Sequence, residues 1–315
     1  MTVLSDYLEL YLEPLLPYLE NEAVTDIYLN PPRDFWVEYR GGNAEKIDLP
    51  HWQEEDSWRL ARQVARNSGK AIGRSSPILS ARLPDGTRVQ IVTPPACEGG
   101  VAMAFRRHLS AAPDLESYRV ATDGASDDVP HVPQGDGAET HAYLRRAVQD
   151  RKTIVVSGGT STGKTTLLNS LIAEIPRDER LVAIEDAPEL RLPHENKLGL
   201  IASRDDAYAS VSGPIPLLEA TLRLRPSRII LGELRGAEAF AFLRASNTGH
   251  RGSMTSVHAD SPEQAIDQIA LMTQQAGMGL RFNEARDLAR TLIDVVVQLE
   301  RRNGTRAISR IEGFR

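Results

Sequence analysis

The stretch Ser157-Gly158-Gly159-Thr160-Ser161-Thr162-Gly163-Lys164-Thr165-Thr166 follows directly on the apolar run Thr153-Ile154-Val155-Val156 and leads into an amphipathic helical pattern over Thr165 to Ile175. Strand, loop of spacing G-x-x-x-x-G-K-[ST] and helix in that order constrain the chain more than any other feature, because such a loop works only when both flanks hold its ends. Glycines let consecutive backbone N–H groups turn inward on an anion, and the helix N-terminus adds its partial positive charge. Gly158 to Thr166 are therefore candidate nucleotide-binding residues. Lys164 would reach the β and γ phosphates, and the Thr165 hydroxyl would hold Mg²⁺. A merely flexible glycine loop is the alternative, and the strand before and helix after weigh against it.

Beyond residue 140 short apolar runs alternate with longer helical patterns. The runs are Thr153 to Val156, Leu181 to Ile184, Arg228 to Leu231, Ser253 to Val257 and Val295 to Val297; helical spacing falls at Leu217 to Leu224, Glu238 to Asn247, Pro262 to Gln275 and Phe282 to Leu292. This rhythm predicts an α/β fold with a mainly parallel sheet covered by helices on both faces, and ligands of such sheets sit at the carboxyl ends of the strands.

The N-terminal part reads differently. Leu8, Leu12, Leu15 and Leu19 have helical spacing; Asp26 to Asn30, Phe35 to Tyr39 and Val101 to Phe105 read as strands, Trp58 to Asn67 as a helix, and Ile78 to Val92 as a hairpin closed by Pro84-Asp85-Gly86. A small α+β unit over 1–108 follows, its second strand ending at a Gly41-Gly42 turn. Between His108 and Thr140 the prolines, glycines and repeated Asp read as a connection, giving a linker over 109–140 and a second domain over 141–315.

Net charge is −6 and 41% of the 315 residues are hydrophobic, which excludes global disorder and implies no general affinity for nucleic acid or anionic lipid. One cysteine, Cys97, rules out an intrachain disulfide or a CxxC zinc module and fits a reducing, cytoplasmic setting. The start of the chain carries no secretory-signal pattern, and no run approaches the length that spans a bilayer. Any membrane work is therefore expected to be peripheral. The apolar face formed by Leu8, Leu12, Leu15 and Leu19 is read as packing inside the small domain.

A phosphate cradle binds nucleotide; hydrolysis also needs carboxylates near the metal and the attacking water. Two sets follow candidate strands: Glu185-Asp186 with Glu189, and Glu233 with Arg235 and Glu238 close behind. They project over the nucleotide if their strands neighbour the phosphate-loop strand; otherwise they serve as helix caps. His258 ends the run Ser253 to Val257 and His250 precedes it, and a histidine at a strand end is, taken alone, more often structural than functional.

Taken in order, Gly158 to Thr165, Ile184-Glu185-Asp186-Ala187-Pro188-Glu189-Leu190, Ile229 to Gly236 and Thr248 to His258 resemble the Walker A, Asp, Walker B and His boxes of the secretion ATPase superfamily. Pro77 to Ala81 and Leu83 to Val92 are similar to the N-terminal domain of one branch, the traffic ATPases of bacterial type IV secretion and conjugation machines. The resemblance implies a RecA-like P-loop ATPase domain behind a smaller α+β N-terminal domain, with nucleotide between the two. It implies ATP and Mg²⁺ as cofactors, and a cytoplasmic homo-hexamer working peripherally at the inner face of the inner membrane with inner-membrane components and other ATPases of the machine.

By the same resemblance Glu233 would polarise the attacking water, while Glu185, Asp186 and Glu189 would organise the metal, with Thr165, Glu185 and Asp186 as its candidate ligands. His258 and His250 would sense the γ-phosphate. Arg88 and Arg106 match N-terminal-domain arginines that reach the phosphates, Arg107 leaving a one-residue ambiguity. Most phosphate-loop proteins end Walker B in aspartate; Gly232-Glu233 here is the wording expected in this superfamily. One cysteine cannot supply the zinc module of type II secretion ATPases. The tight-adherence pilus assembly ATPases are the runner-up, and a RecA-like nucleic-acid motor is disfavoured because no basic stripe studded with aromatics is visible, despite Arg145-Arg146, Arg223-x-Arg225 and Arg301-Arg302.

Overall fold

A computed structural model describes residues 6–40, 43–107, 114–120, 137–203, 211–302 and 305–314. The chain divides into two units, Met1–Ala111 and Ala112–Arg315.

In the first unit, helix α1 (Asp6–Leu12) and a short helix α2 (Leu16–Leu19) precede strands β1 (Val24–Asn30), β2 (Asp34–Tyr39) and β3 (Ala44–Ile47). Helix α3 (Glu54–Asn67) and strands β4 (Ile78–Arg82), β5 (Arg88–Val92) and β6 (Ala102–Arg106) complete it. The strands form one antiparallel sheet of order β3-β2-β1-β6-β5-β4. Alternation sends Leu79, Val89, Ile91, Met103 and Phe105 into a core with Leu60 and Val64 of α3. Leu8, Leu12, Leu15 and Leu19 are all buried in that core, so the N-terminal apolar stripe is internal packing. The hairpin turn is fixed by Asp85, whose Oδ1 accepts the Thr87 N–H at 2.9 Å. Helix α3 starts four residues earlier than its apolar spacing suggests, because the Asp56 side chain caps the Gln53 N–H at 2.9 Å. The Gly41-Gly42 turn lies outside the described residues.

The second unit contains β7 (Arg119–Val120), α4 (Gly137–Gln149), β8 (Ile154–Gly158), α5 (Lys164–Ala173), β9 (Leu181–Glu185), β10 (Lys197–Ile201), α6 (Pro214–Thr221) and β11 (Arg228–Leu231). It continues with α7 (Glu238–Asn247), β12 (Met254–Val257), α8 (Pro262–Gln274), α9 (Phe282–Leu292), β13 (Val295–Arg302) and β14 (Thr305–Gly313). Its sheet has the order β10-β9-β11-β12-β8-β13-β14-β7, parallel throughout except for the antiparallel pair β13–β14. Strands β8, β9, β11 and β12 are buried along their whole length, because helices cover both faces. Ile154 and Val156 pack with Leu144 of α4 and Leu168 of α5. Val155 points the other way, into a cluster with Phe242 of α7, Ile266 of α8 and Ala289 of α9.

Four strands escape sequence reading: β3, β7, β10 and β14. Strand β10 is an edge strand and half exposed, and β14 alternates Arg306, Ile308 and Arg310 with smaller or charged neighbours. Strand β7 lies within the stretch read as a linker. Its preceding residues Leu115 and Tyr118 are buried in the core of the second unit, and Ala307 and Ile308 of β14 pair with Arg119 and Val120. Residues 114–120, with the first residues of α4, are thus part of the second unit rather than a free connection; Pro113, Gly124, Pro130, Pro133 and Gly135 lie outside the described residues.

At the amino ends of the parallel strands, Arg228 is fully buried. Its Nε and Nη2 donate to Glu179 at 2.9 and 2.6 Å, and Nη1 donates to Val148 O at 2.7 Å. Such a pair anchors β11 to α4 by satisfying every charge it buries.

Candidate active site

The carboxyl ends of β9, β11, β12 and β8 carry, in that spatial order, the Asp-box, Walker B, His-box and phosphate-loop residues. The immediate neighbours of β8 are β12 and β13. Neither acidic box therefore lies on a strand adjacent to the phosphate loop; β12 intervenes, and its histidine makes the connection.

The loop between β8 and α5 is closed from within. Lys164 is buried, its ammonium donating to Gly158 O at 2.9 Å and Gly159 O at 3.0 Å, while Thr162 Oγ1 donates to Gly159 O at 2.9 Å. Thr165 and Thr166, in the first turn of α5, are partly exposed, and Thr160 at the loop's edge is exposed. Lys164 Nζ also lies 3.2 Å from His258 Nε2 and 3.4 Å from Nδ1.

His258, in turn, places Nε2 2.9 Å from Glu233 Oε1. The other Glu233 oxygen receives Arg235 at 2.5 Å, and Arg235 Nη1 reaches Asp186 Oδ2 at 3.2 Å. One file of charges, Lys164, His258, Glu233, Arg235 and Asp186, runs across the sheet edge in the order of the strands. Burial, and then the Lys164 ammonium, hold the His258 imidazole below its ordinary value of 6.5 against the pull of Glu233. A neutral ring can donate from Nε2 to Glu233, with the Lys164 ammonium beside the ring edge, close to both nitrogens.

The backbone around these side chains is fixed by Gly232, Ser256 and Glu238. Gly232 N donates to Ile184 O at 2.8 Å, and any Cβ at Gly232 would stand 3.2 Å from Glu185 Cβ. The glycine of the Gly232-Glu233 pair is thereby explained as a close approach between β9 and β11. Ser256 of β12 donates to Gly232 O at 2.7 Å, and Glu238 accepts the Arg235 N–H at 2.9 Å.

Glu185 is buried, and its Oε2 accepts the N–H groups of Glu189 and Leu190 at 2.6 and 2.8 Å. It shapes the loop that carries Asp186 and Glu189. The same loop is held by Asn169 of α5, which donates to Glu189 O at 2.9 Å and accepts from Arg191 N at 2.8 Å. Sequence reading passed over Asn169; the available signal was an amide within an otherwise apolar helix face, five residues after Lys164.

His250 stands apart from this constellation. It precedes β12, at the amino edge of the sheet, with Nδ1 3.2 Å from Ala245 O. Within this chain the structure does not bring it to the phosphate loop.

In the first unit Arg88 and Arg106 are cross-strand partners, and Arg82 stands opposite Arg88 on the other side. Arg106 Nε lies 3.9 Å from Asp26. Arg107 is turned away, its Nη1 donating to Val24 O at 3.1 Å and to Asn21 O, so Arg106 is the one that shares the row with Arg88. Arg145, part of a basic pair, is engaged by Glu174 at 2.8 Å and by Glu116.

Among the described residues no cluster of three or more His, Cys, Asp or Glu side chains forms a metal cage. The oxygen donors present, the Thr165 hydroxyl and the Asp-box carboxylates, fit a hard cation that brings most of its ligands as phosphate and water. No helix among the described residues is long and apolar enough to cross a membrane.

The sequence profile of the family described as type II/IV secretion system protein matches residues 10–303. The type IV secretion system protein VirB11 of Brucella suis biovar 1 (strain 1330) is 38% identical over 308 residues, covering 92% of this chain and 84% of that protein. VirB11 of Bartonella henselae is 35% identical over 324 residues, covering 95% and 91%. The type IV secretion system protein PtlH of Bordetella pertussis is 39% identical over 322 residues, covering 96% and 93%. Among solved structures, the VirB11 ATPase from the Brucella suis type IV secretion system, in complex with sulphate, aligns at 35% identity and a TM-score of 0.52 over 98% of this chain and 97% of that one. The fold is shared with the Legionella pneumophila ATPase DotB, at 18% identity and a TM-score of 0.66 over 100% of this chain and 83% of that one. The pilus retraction motor PilT with bound ADP shares it too, at 20% identity and 0.62 over 95% and 78%. By profile, by identity along nearly the whole length and by fold, the chain belongs to the type II/IV secretion system protein family, on its branch of type IV secretion ATPases.

Proposed function

We propose that the chain works as a homo-hexameric, Mg²⁺-dependent ATPase that powers assembly of, or substrate passage through, a type IV secretion or conjugation machine. It would act peripherally at the inner face of the inner membrane, with inner-membrane components and other ATPases of the machine as partners. The observation that carries the catalytic part is the file from Lys164 through His258 to Glu233, which joins the phosphate-binding cation to the carboxylate placed for the attacking water.

When bound, Mg²⁺ neutralises phosphate charge and aligns the β and γ groups. The Thr165 hydroxyl would hold the ion, with Asp186 and Glu189 as candidate oxygen donors, while Glu185 shapes the loop that bears them. Lys164 exchanges Gly158 O and Gly159 O for phosphate oxygens, and the loop N–H groups with the start of α5 hold the anion. His258, released from Lys164, reports the γ-phosphate to Glu233, which orients the water and takes its proton. Arg88 and Arg106 stabilise charge on the phosphates. Arg82, Arg88 and Arg106 gather three guanidinium groups in one cross-strand row, a positive field that attracts an anion.

Light scattering with Mg²⁺ and a non-hydrolysable ATP analogue tests the assembly. A particle near six times the 34.7 kDa chain mass is expected. A nucleotide-bound monomer would remove the ring.

A further inference from the structure

Strand β14 lies two places from β8 in the sheet, yet one of its side chains reaches the phosphate loop. Arg306 Nε donates to Ser161 O at 3.1 Å, across 145 residues of chain. Ser161 is the one non-glycine residue of the loop with positive φ, at 60°, a conformation that costs energy unless its surroundings hold it. The Arg306 stem also lies over Gly163, which caps α5 at φ 96°. A Cβ there would meet Arg306 Cδ at 3.1 Å and Nε at 3.7 Å. One side chain thus grips the loop at its strained apex and covers its exit into the helix.

The strand bearing Arg306 is itself fixed on both sides. Leu299 of β13 pairs with Ile308, and Arg301 pairs with Arg306. On the outer edge, Ala307 and Ile308 pair with Arg119 and Val120 of β7. Next to β7, Leu115 and Tyr118 are buried. An arginine on so constrained a strand loses little further freedom in holding its hydrogen bond.

We propose that Arg306 is a positioning residue for nucleotide binding: it fixes the Ser161 apex so that the loop N–H groups face the phosphates before nucleotide arrives. The physical reason is preorganisation. A glycine-rich loop without this bond loses conformational entropy at each residue when it closes on an anion, and that loss weakens affinity. The loop cradles the phosphates common to ADP and ATP, so both nucleotides depend on Arg306 alike, and the step after binding depends on it much less.

The test uses the full chain and its Arg306→Ala, Arg306→Met and Arg306→Lys variants. Dissociation constants for fluorescent N-methylanthraniloyl ADP and ATP are measured alongside KM and kcat for ATP and the thermal midpoint without nucleotide. Arg306→Ala should weaken both nucleotides about tenfold, equivalent to about 1.4 kcal/mol, and raise KM in step. Its kcat should stay within about twofold and its midpoint near the parent's. Lysine can still donate to Ser161 O, so Arg306→Lys should recover most of the affinity. Methionine, which keeps the unbranched stem but has no N–H to donate, carries the same comparison should alanine not fold.

Parent-like affinity in the alanine or methionine variant overturns the proposal. So does a loss that follows a fall in the midpoint and is not recovered by lysine, because that pattern is general destabilisation. The proposal rests on the phosphate-loop reading, and the two fail separately. A parent chain that binds neither nucleotide removes the loop reading, whereas a parent that binds and an alanine variant that binds equally well remove only Arg306.

Discussion

His258 Nε2 lies 2.9 Å from Glu233 Oε1, and the Lys164 ammonium stands 3.2 Å from the same nitrogen. Strand β12 lies between the phosphate-loop strand and the Walker B strand, and this imidazole touches a side chain from each. Glu233 is held on its other side by Arg235 at 2.5 Å. A carboxylate fixed from both sides presents its remaining lone pairs in a set direction, as a water-orienting group requires.

Glu233→Gln keeps the shape of the side chain and one acceptor oxygen but loses the proton acceptor. Turnover should fall roughly a hundredfold to ten-thousandfold, with nucleotide affinity near the parent's. Single-turnover hydrolysis beside equilibrium binding checks this, and a variant hydrolysing at the parent rate would remove Glu233 from the chemistry.

The pH dependence of His258 has a definite sign. Its folded-state value is depressed below 6.5 by burial and Lys164, so the folded chain binds fewer protons than the unfolded one just below that pH. The associated stability is present above pH 6.5 and is lost as the pH falls through the folded value. Protonation there would add a cation beside Lys164 and Arg235. Hydrolysis should be level between pH 8 and about 6.5 and decline below it. In His258→Gln the decline should disappear from a pH profile of kcat/KM.

Arg88→Ala should slow hydrolysis about tenfold or more, the scale of a lost charge-stabilising group, and leave the thermal midpoint of the chain nearly unchanged. Arg107→Ala serves as the comparison: its guanidinium is tied to the carbonyls of Val24 and Asn21, so its loss should lower stability rather than turnover. Parent-rate hydrolysis by Arg88→Ala would end the role assigned to that row.

Glu179→Ala leaves Arg228 buried without its carboxylate, at a cost of about 3 to 5 kcal/mol. Denaturant unfolding measures it. Burial works to raise the Glu179 value, but Arg228 and Arg151 outweigh it and hold the group below 4.5. The parent's stability from this group is therefore present above pH 4.5 and lost as the pH falls through the folded value. That acid-induced loss should be missing from the variant.

Asn169→Ala should loosen the segment from Glu189 to Arg191, which Asn169 grips through both of its amide groups. Turnover should fall several-fold while phosphate-loop binding of ADP persists, since the side-chain amide of Asn169 bonds to the Asp-box segment. Unchanged kcat would show that the Asp-box segment keeps its place through Glu185 alone.

What was legible in the chain was whatever depends on near neighbours. Strand, glycine loop and helix around Lys164 occupy consecutive residues, and the spacing that makes a phosphate cradle is a local geometric requirement. Apolar runs such as Ile154 to Val156 announced buried parallel strands, since burial on both faces removes the polar alternation. The order of the strands was not legible, and with it went the place of β12 between Walker A and Walker B and the remote position of His250. Strand order is set by how helices pack across the sheet, a sum of contacts among distant residues. Arg306, Asn169 and the strand at Arg119–Val120 escaped for the same reason: each acts through a partner far along the chain, or sits in a segment whose composition reads as a linker. Local sequence specifies which groups can bind phosphate. Only the packed sheet decides which side chains hold them in position, because that requires a side-chain donor and a backbone carbonyl 145 residues apart, Arg306 Nε and Ser161 O, to meet at hydrogen-bond distance.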